Sequence, residues 1–110
     1  MTFEGEYLNG KRNGKGKEYS FGKLIFVGEY LNGLRNGKGK EYDFYDGELR
    51  FEGEYLNGER KKGKEDSGGE LLFEGEYLNR KRWNGKGKEY YFSELRFEGE
   101  YLNGQRRPTK

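Results

Sequence analysis

Hydrophobic and polar residues alternate along short stretches of this chain, which is the period expected of β-strands. In the first stretch Phe3, Gly5 and Tyr7 alternate with glutamates and a leucine. Asn9-Gly10 follows, a pair that tolerates positive φ angles and therefore predicts a tight turn. Residues 14–19, with the sequence GKGKEY, alternate again. The pattern therefore predicts a β-hairpin.

This hairpin pattern recurs along the whole chain. Units begin at Phe3, Phe26, Phe51, Phe73 and Phe97, so the successive steps are 23, 25, 22 and 24 residues. Such a period is typical of solenoid arrays. Four units are complete and the fifth is not. We predict one all-β domain over residues 1–110, an elongated array of β-hairpin repeats with about nine antiparallel strands in a single open sheet, five outgoing and four returning.

Glycines recur on the face that carries the aromatic rings, at Gly5, Gly14 and Gly16 in the first unit. Glycine weakens a strand, so we expect these residues to make room for the rings of Phe3 and Tyr7. We expect the rings to form the core, because the chain offers few other apolar residues. Any part that stays open would be a groove for an extended peptide or a helix of a partner. This ring stripe consists of Phe3/Tyr7, Phe26/Tyr30, Phe51/Tyr55, Phe73/Tyr77 and Phe97/Tyr101.

Glutamates and lysines are predicted to face each other on the opposite side of the sheet. We interpret them as a solvated ladder that fixes strand register and limits aggregation, rather than as a catalytic carboxylate pair. The expected partners are Glu4 and Glu6 with Lys15 and Lys17, Glu29 with Lys38 and Lys40, and Glu74 and Glu76 with Lys86 and Lys88.

One unit has the sequence FEGEY at residues 51–55, followed by Asn57-Gly58, and the preceding return segment reads NGKGK at residues 36–40. This combination resembles MORN repeats (membrane occupation and recognition nexus). That family has an aromatic residue, a glycine two positions later, an acidic residue, a second aromatic, Asn-Gly and a Gly-x-Gly return. The resemblance runs from Phe3 to about Gln105. It implies a MORN-type open solenoid that acts as a protein scaffold or contacts lipids.

The third and fourth units depart from the pattern. The third is one residue short in its return segment and has Asp66 where a tyrosine is expected. The fourth has Arg80 in place of the turn glycine, and Trp83 is inserted before Asn84-Gly85. Deviations from the hairpin geometry are therefore expected in these two units.

Composition excludes several classes of function. The chain has neither Cys nor His, so we expect no metal site, no cofactor and no enzymatic activity. The 22 basic and 20 acidic residues leave a net charge of +2, which makes nucleic acid an improbable partner. No apolar segment reaches the roughly 20 residues that span a bilayer, and no signal-peptide pattern follows Met1. We expect a cytoplasmic protein, either free or peripheral at a membrane or cytoskeletal structure.

Positive charge concentrates at the hairpin tips, which hold 11 cations against one acid, Glu59. Equivalent tips would lie roughly 10 Å apart, because neighbouring strands are about 4.8 Å apart. We therefore predict a continuous basic ridge. It would serve solubility alone, or attract anionic phospholipid headgroups or an acidic protein segment. The ridge consists of Lys11, Arg12, Arg35, Arg60, Lys61, Lys62, Arg80, Lys81, Arg82, Arg106 and Arg107.

The leading hypothesis is a scaffold or adaptor that binds proteins through the ring stripe. The alternative is peripheral membrane association through the basic ridge. Trp83 is interpreted as a loop residue that packs locally, or as an interface anchor. The first and last strands would expose backbone hydrogen-bonding groups, so self-association through them is a further expectation. The candidate protein-binding residues are Tyr7, Tyr30, Tyr55, Tyr77, Tyr101 and Trp83.

Overall fold

The computed structural model describes residues 2–108, which form ten antiparallel strands in one sheet. The strands are β1 (Thr2–Leu8), β2 (Lys11–Ser20), β3 (Lys23–Leu31), β4 (Leu34–Tyr42), β5 (Leu49–Leu56), β6 (Glu59–Ser67), β7 (Glu70–Leu78), β8 (Lys81–Tyr91), β9 (Glu94–Leu102) and β10 (Gln105–Pro108). Their order in the sheet is their order in the chain. The predicted single-sheet array is confirmed, with ten strands instead of nine because β10 pairs with β9. Met1, Thr109 and Lys110 of the predicted array lie outside the described residues.

Five tight turns close the hairpins, all along one side of the sheet. Each begins with an asparagine at a φ between 50° and 53°. The second residue is glycine in four turns and Arg80, at a φ of 66°, in the fourth. Two consecutive positive φ angles match the strand twist of a hairpin. We refer to this side, with residues 8–12, 31–35, 56–62, 78–83 and 102–107, as the tip edge. The other side, with residues 19–24, 42–50, 66–72 and 90–96, is the connector edge.

A bulge separates each of the first four tips from the rest of its hairpin. In the first hairpin Tyr7 pairs with Arg12 and Gly5 with Gly16, so three residues lie opposite Glu6. Gly14, within this bulge, has a φ of 91°. A Cβ there would collide with the carboxylate of Glu6 instead of a ring. The prediction that Gly14 makes room for rings is therefore wrong, because its role is the backbone conformation of the bulge.

The third and fourth hairpins have a shorter bulge, with one extra residue each, Lys61 and Trp83. β8 also presents different glycines to the glycines of its two neighbours: Gly85 lies opposite Gly75 of β7, and Gly87 lies opposite Gly99 of β9. The expected deviations therefore occur in these two units, although both hairpins close.

The ring stripe is the core of the sheet. Phe26, Phe51 and Phe73 are fully buried, and Phe3 and Phe97 are partly buried. Phenylalanine and tyrosine rings alternate in edge-to-face contacts with centroids 5.0–5.7 Å apart. Each such contact contributes about 0.5–1.5 kcal/mol beyond area burial. The rings thus join each hairpin to the next.

Glycine makes the close approach of these rings to the backbone possible. A Cβ added to Gly16 would collide with Cζ of Phe3, and one added to Gly5 would lie 2.9 Å from the same atom. The expectation that these two glycines make room for a ring is confirmed.

The charged ladder on the opposite face follows the prediction only in part. Glu4 lies opposite Lys17 as expected. Glu6 and Glu29 lie at bulges, where their carboxylates accept from the backbone N–H groups of Lys15 and Lys38. Glu76, however, lies opposite Asn84, whose Nδ2 donates to its carboxylate at 3.1 Å. The two lysines expected for Glu74 and Glu76 pair elsewhere in part: Lys86 lies opposite Glu74, but Lys88 lies opposite Glu98 of β9. The short bulge at Trp83 causes this difference, because it changes the register of β8.

Candidate interaction surfaces

Four of the five tyrosines of the ring stripe are not available to a partner. Their exposed fractions are only 4–8%. Each hydroxyl donates a hydrogen bond to a glutamate of a neighbouring return strand. The pairs are Tyr30–Glu18, Tyr55–Glu41, Tyr77–Glu65 and Tyr101–Glu89. Only Tyr7, at 59% exposed, remains accessible, so the stripe does not form the open groove that we considered.

One arginine from each tip folds back over a phenylalanine of the stripe. The guanidinium carbon lies 3.9–5.9 Å from the ring centroid. All five also pair with glutamates that bind tyrosine: Arg12 approaches Glu18 to 3.9 Å, and the other four donate hydrogen bonds. These four Arg–Glu–Tyr triads are Arg35–Glu18–Tyr30, Arg60–Glu41–Tyr55, Arg82–Glu65–Tyr77 and Arg106–Glu89–Tyr101. The arginines therefore cover the core, whereas the sequence placed them in the basic ridge.

Within three of the triads, hydrogen bonds and ion pairs fix the protonation states of the glutamates and tyrosines. Burial acts to raise the pKa of Glu41, but hydrogen bonds from Arg60 and Tyr55 outweigh it, so the pKa lies below its ordinary value. The pKa values of Glu18 and Glu65 are lowered in the same way. Burial and the adjacent carboxylate raise the pKa of Tyr55. At neutral pH these three glutamates are therefore ionised and their tyrosines protonated, which leaves no activated nucleophile in these three triads.

Loss of five arginines to the core interrupts the predicted ridge. Six of its cations remain at the tips, and two of these are paired: Lys62 with Glu54 at 3.8 Å and Arg80 with Glu59 at 3.4 Å. The other four make no ion pair within residues 2–108; they are Lys11, Lys61, Lys81 and Arg107. The tip edge is thus basic at separate points, not along a continuous line.

Leucines accompany these cations at the tip edge. A leucine precedes the asparagine of each of the five tip turns, and Leu34 is a sixth leucine at this edge. All six are about half exposed. The tip leucines are Leu8, Leu31, Leu34, Leu56, Leu78 and Leu102.

Trp83 lies in β8 and not in a loop. Its ring covers Gly104 of the next tip, where an added Cβ would be 2.9 Å from Cζ3 of Trp83. The Gly104 N–H also donates to the Trp83 carbonyl at 2.9 Å. The loop location was therefore wrong, and the contact supports the interpretation of local packing.

The connector edge carries exposed aromatic rings that the sequence reasoning overlooked. Phe21 and Phe92 at connector turns and Tyr45 in the longer loop are 85–91% exposed. A signal was available, since Phe21 stands beside glycine and Phe92 beside serine, in turns where small polar residues are expected.

Residues 2–108 contain no group of three or more acidic side chains that could hold a metal ion. Within the same range, no helix has the length and apolar character needed to cross a membrane.

Comparison with known families identifies the first two hairpins. The family model of the MORN repeat matches residues 3–21 and 26–49. No curated protein sequence matches the chain. The third and fourth hairpins repeat the ring pair and the opposed glycines of the first two, and the fifth repeats the ring pair. The first two hairpins are therefore MORN repeats, and the later hairpins continue the same all-β array.

Proposed function

We propose that this MORN array is a non-catalytic scaffold that binds other proteins through the two edges of its sheet. The supporting observation is the position of its exposed large hydrophobic side chains. Within residues 2–108 there are 14: six on the tip edge, seven on the connector edge, and Tyr7 in the ring stripe. Isolated exposed apolar residues are normal, but rows of them mark interaction surfaces. The ring stripe, which we first considered as the binding surface, is occupied by its own arginines.

The rigid spacing of the hairpins suits this role. Edge-to-face ring contacts link neighbouring hairpins, so equivalent edge residues recur about every 10 Å. A partner with a repeated or extended contact surface would therefore meet several equivalent positions. MORN repeats are known in scaffolds that interact with proteins or membranes.

Affinity capture from the native host tests the scaffold function. A tip variant, Leu31→Ser with Leu56→Ser and Leu78→Ser, and a connector variant, Phe21→Asn with Phe92→Asn, are compared with the unchanged chain. Lys40→Gln in the charged ladder is the control, because its side chain is on neither edge. We expect the unchanged chain and the control to retain the same proteins, and at least one edge variant to lose them. Retention unaffected by either variant would refute the assignment to the edges.

Peripheral membrane association is the second candidate, favoured by the combination of leucine and lysine at the tips. Each cation near an anionic surface contributes about 1 kcal/mol. Co-sedimentation with phosphatidylcholine vesicles, with and without phosphatidylserine, tests it. Arg80→Glu with Lys81→Glu should abolish binding, while Arg82 is left intact because it pairs with Glu65 in the core. Absence of sedimentation of the unchanged chain at physiological salt would reject the membrane function.

A further inference from the structure

Two connector turns have phenylalanine where the other tight turns have asparagine or glycine. Phe21 and Phe92 have φ angles of 49° and 50°, and each begins a two-residue turn. The five tip turns have asparagine at this position, and the β6–β7 turn has Gly68. Asparagine and glycine tolerate the left-handed conformation, whereas bulky side chains rarely adopt it. The turns therefore do not require these phenylalanines.

The core does not require them either. Both rings are almost entirely exposed, so they bury little surface in the isolated chain. Each has an aromatic neighbour: the Phe21 centroid is 6.0 Å from that of Phe44, and the Phe92 centroid is 4.4 Å from that of Tyr91. The connector edge thus holds two ring clusters in solvent, at turns that would form more easily without them.

Cations and carboxylates surround these clusters. Nζ of Lys23 lies 5.0 Å from the Phe44 centroid, and the guanidinium of Arg96 lies 5.5 Å from that of Tyr91. Acidic residues nevertheless outnumber basic ones at this edge, with Asp43, Asp46, Glu48, Asp66, Glu70 and Glu94 against Lys23, Arg50 and Arg96. All of these carboxylates except Asp66 form ion pairs within residues 2–108, so the edge is acidic through its excess of carboxylates. A complementary surface would therefore present cations together with apolar groups.

The tip edge of the same chain has this composition. It combines six half-exposed leucines with Lys11, Lys61, Lys81 and Arg107, which make no ion pair within residues 2–108. We propose that the connector edge of one copy docks on the tip edge of a second copy, with ring clusters against leucines and carboxylates facing lysines. This inference rests on the proposed function, which assigns the edges to protein contacts, and it names the partner.

A contact of this kind is heterologous, because it joins different patches of the two copies. Every added copy leaves one free connector edge and one free tip edge. Association therefore continues into open oligomers unless the rotation between copies closes a ring. Salt should weaken it, because exposed charges contribute to both sides.

Sedimentation velocity over a concentration series tests the proposal. The connector variant Phe21→Asn with Phe92→Asn removes two rings and gives both turns the residue that the tip turns use. It should melt no lower than the unchanged chain, so a loss of association would not reflect unfolding. Gly68→Asn is the matched control, since it makes a similar turn substitution where no ring is lost. We expect the control to associate normally and the connector variant to associate at least about tenfold more weakly.

A tip charge variant, distinct from the leucine variant above, removes the other half of the contact. Lys11→Glu with Lys61→Glu and Lys81→Glu should weaken association to a similar extent. A charge-matched variant of the ladder, Lys17→Glu with Lys38→Glu and Lys64→Glu, controls for general repulsion. An equal loss of association in this folded control would overturn the proposal.

Mixing the connector variant with the tip charge variant gives the sharpest outcome. Each retains the edge that the other lacks, so we expect a one-to-one complex that does not grow further. A mixture that remains monomeric would contradict the docking of one edge on the other.

Two further results would overturn the proposal: an unchanged chain that stays monomeric at every concentration, or association that neither edge variant alters. The second result would instead indicate pairing through the end strands. The scaffold function would survive both results if edge variants still lose proteins captured from the host, so the two failures can be told apart.

Discussion

At the scale of single residues, each tip arginine that covers the core has several roles at once. The guanidinium of Arg60 lies 4.3 Å from the Phe51 centroid and donates to Glu41 at 2.9 Å. Its planar group can stack on a ring and bind a carboxylate with two nitrogens, which an ammonium group cannot do. The side chain is only 30% exposed, so its loss should affect the core more than the surface.

Arg60→Lys keeps the charge but removes the stacked, two-nitrogen contact with Glu41. We expect the free energy of unfolding in urea to fall by about 1–2 kcal/mol. The neighbouring exposed Lys61, changed to Arg, is the control and should alter stability by less than about 0.5 kcal/mol. If the two substitutions had equal effects, the core role of Arg60 would be incorrect.

At the scale of elements, alternation and Asn-Gly pairs were sufficient to predict the hairpins, and paired glycines and rings indicated the core. The same alternation places Arg12, Gly16 and Glu18 on the ring face. The triads could thus have been found by applying the period of two to charged residues as well as to rings, whereas we assigned the arginines to the basic ridge. The short tenth strand and the exposed connector rings were less accessible, because the pattern of a strand does not determine the exposure of a turn.

Gly53→Ala tests the close contact between opposed glycines. Gly53 is in a strand, and an added Cβ would lie 2.6 Å from Cα of Gly63 on the paired strand. Because backbone, not a flexible side chain, would have to move, we expect a loss of about 2–4 kcal/mol in urea unfolding. Gly68→Asn, where nothing lies within 4 Å of an added Cβ, should change stability little. A Gly53→Ala chain as stable as the original would show that the strands can separate without cost.

At the scale of the whole molecule, the triads repeat along the sheet and link each hairpin to its neighbour. Arg35 pairs with Glu18 at 3.0 Å and also approaches Glu41, at 3.9 Å. Arg82 likewise binds Glu65 and donates to the Tyr101 hydroxyl at 2.9 Å. The polar network therefore runs parallel to the rings, so conditions that disrupt the triads should weaken several hairpin contacts together.

The stability of the array should consequently depend on pH at both extremes. The pKa values of Glu18, Glu41 and Glu65 lie below their ordinary value of 4.5 in the folded chain. The unfolded chain therefore binds protons first as pH falls below about 4.5, and the stabilisation is lost as pH passes down through the folded pKa values.

Tyrosine gives the opposite sign, because the pKa values of Tyr30, Tyr55 and Tyr77 are raised above 10.0. Their stabilisation is complete below pH 10 and is lost as pH rises further.

We expect Tm, measured by circular dichroism, to be highest between these limits and to fall on both sides. Glu41→Gln should be less stable at pH 7 and show a shallower acid decline, because one of the three titrating carboxylates is gone. Glu52→Gln in the exposed ladder should retain the original profile, and a Tm that stayed constant from pH 7 to 3 would contradict the coupling of the triads to folding.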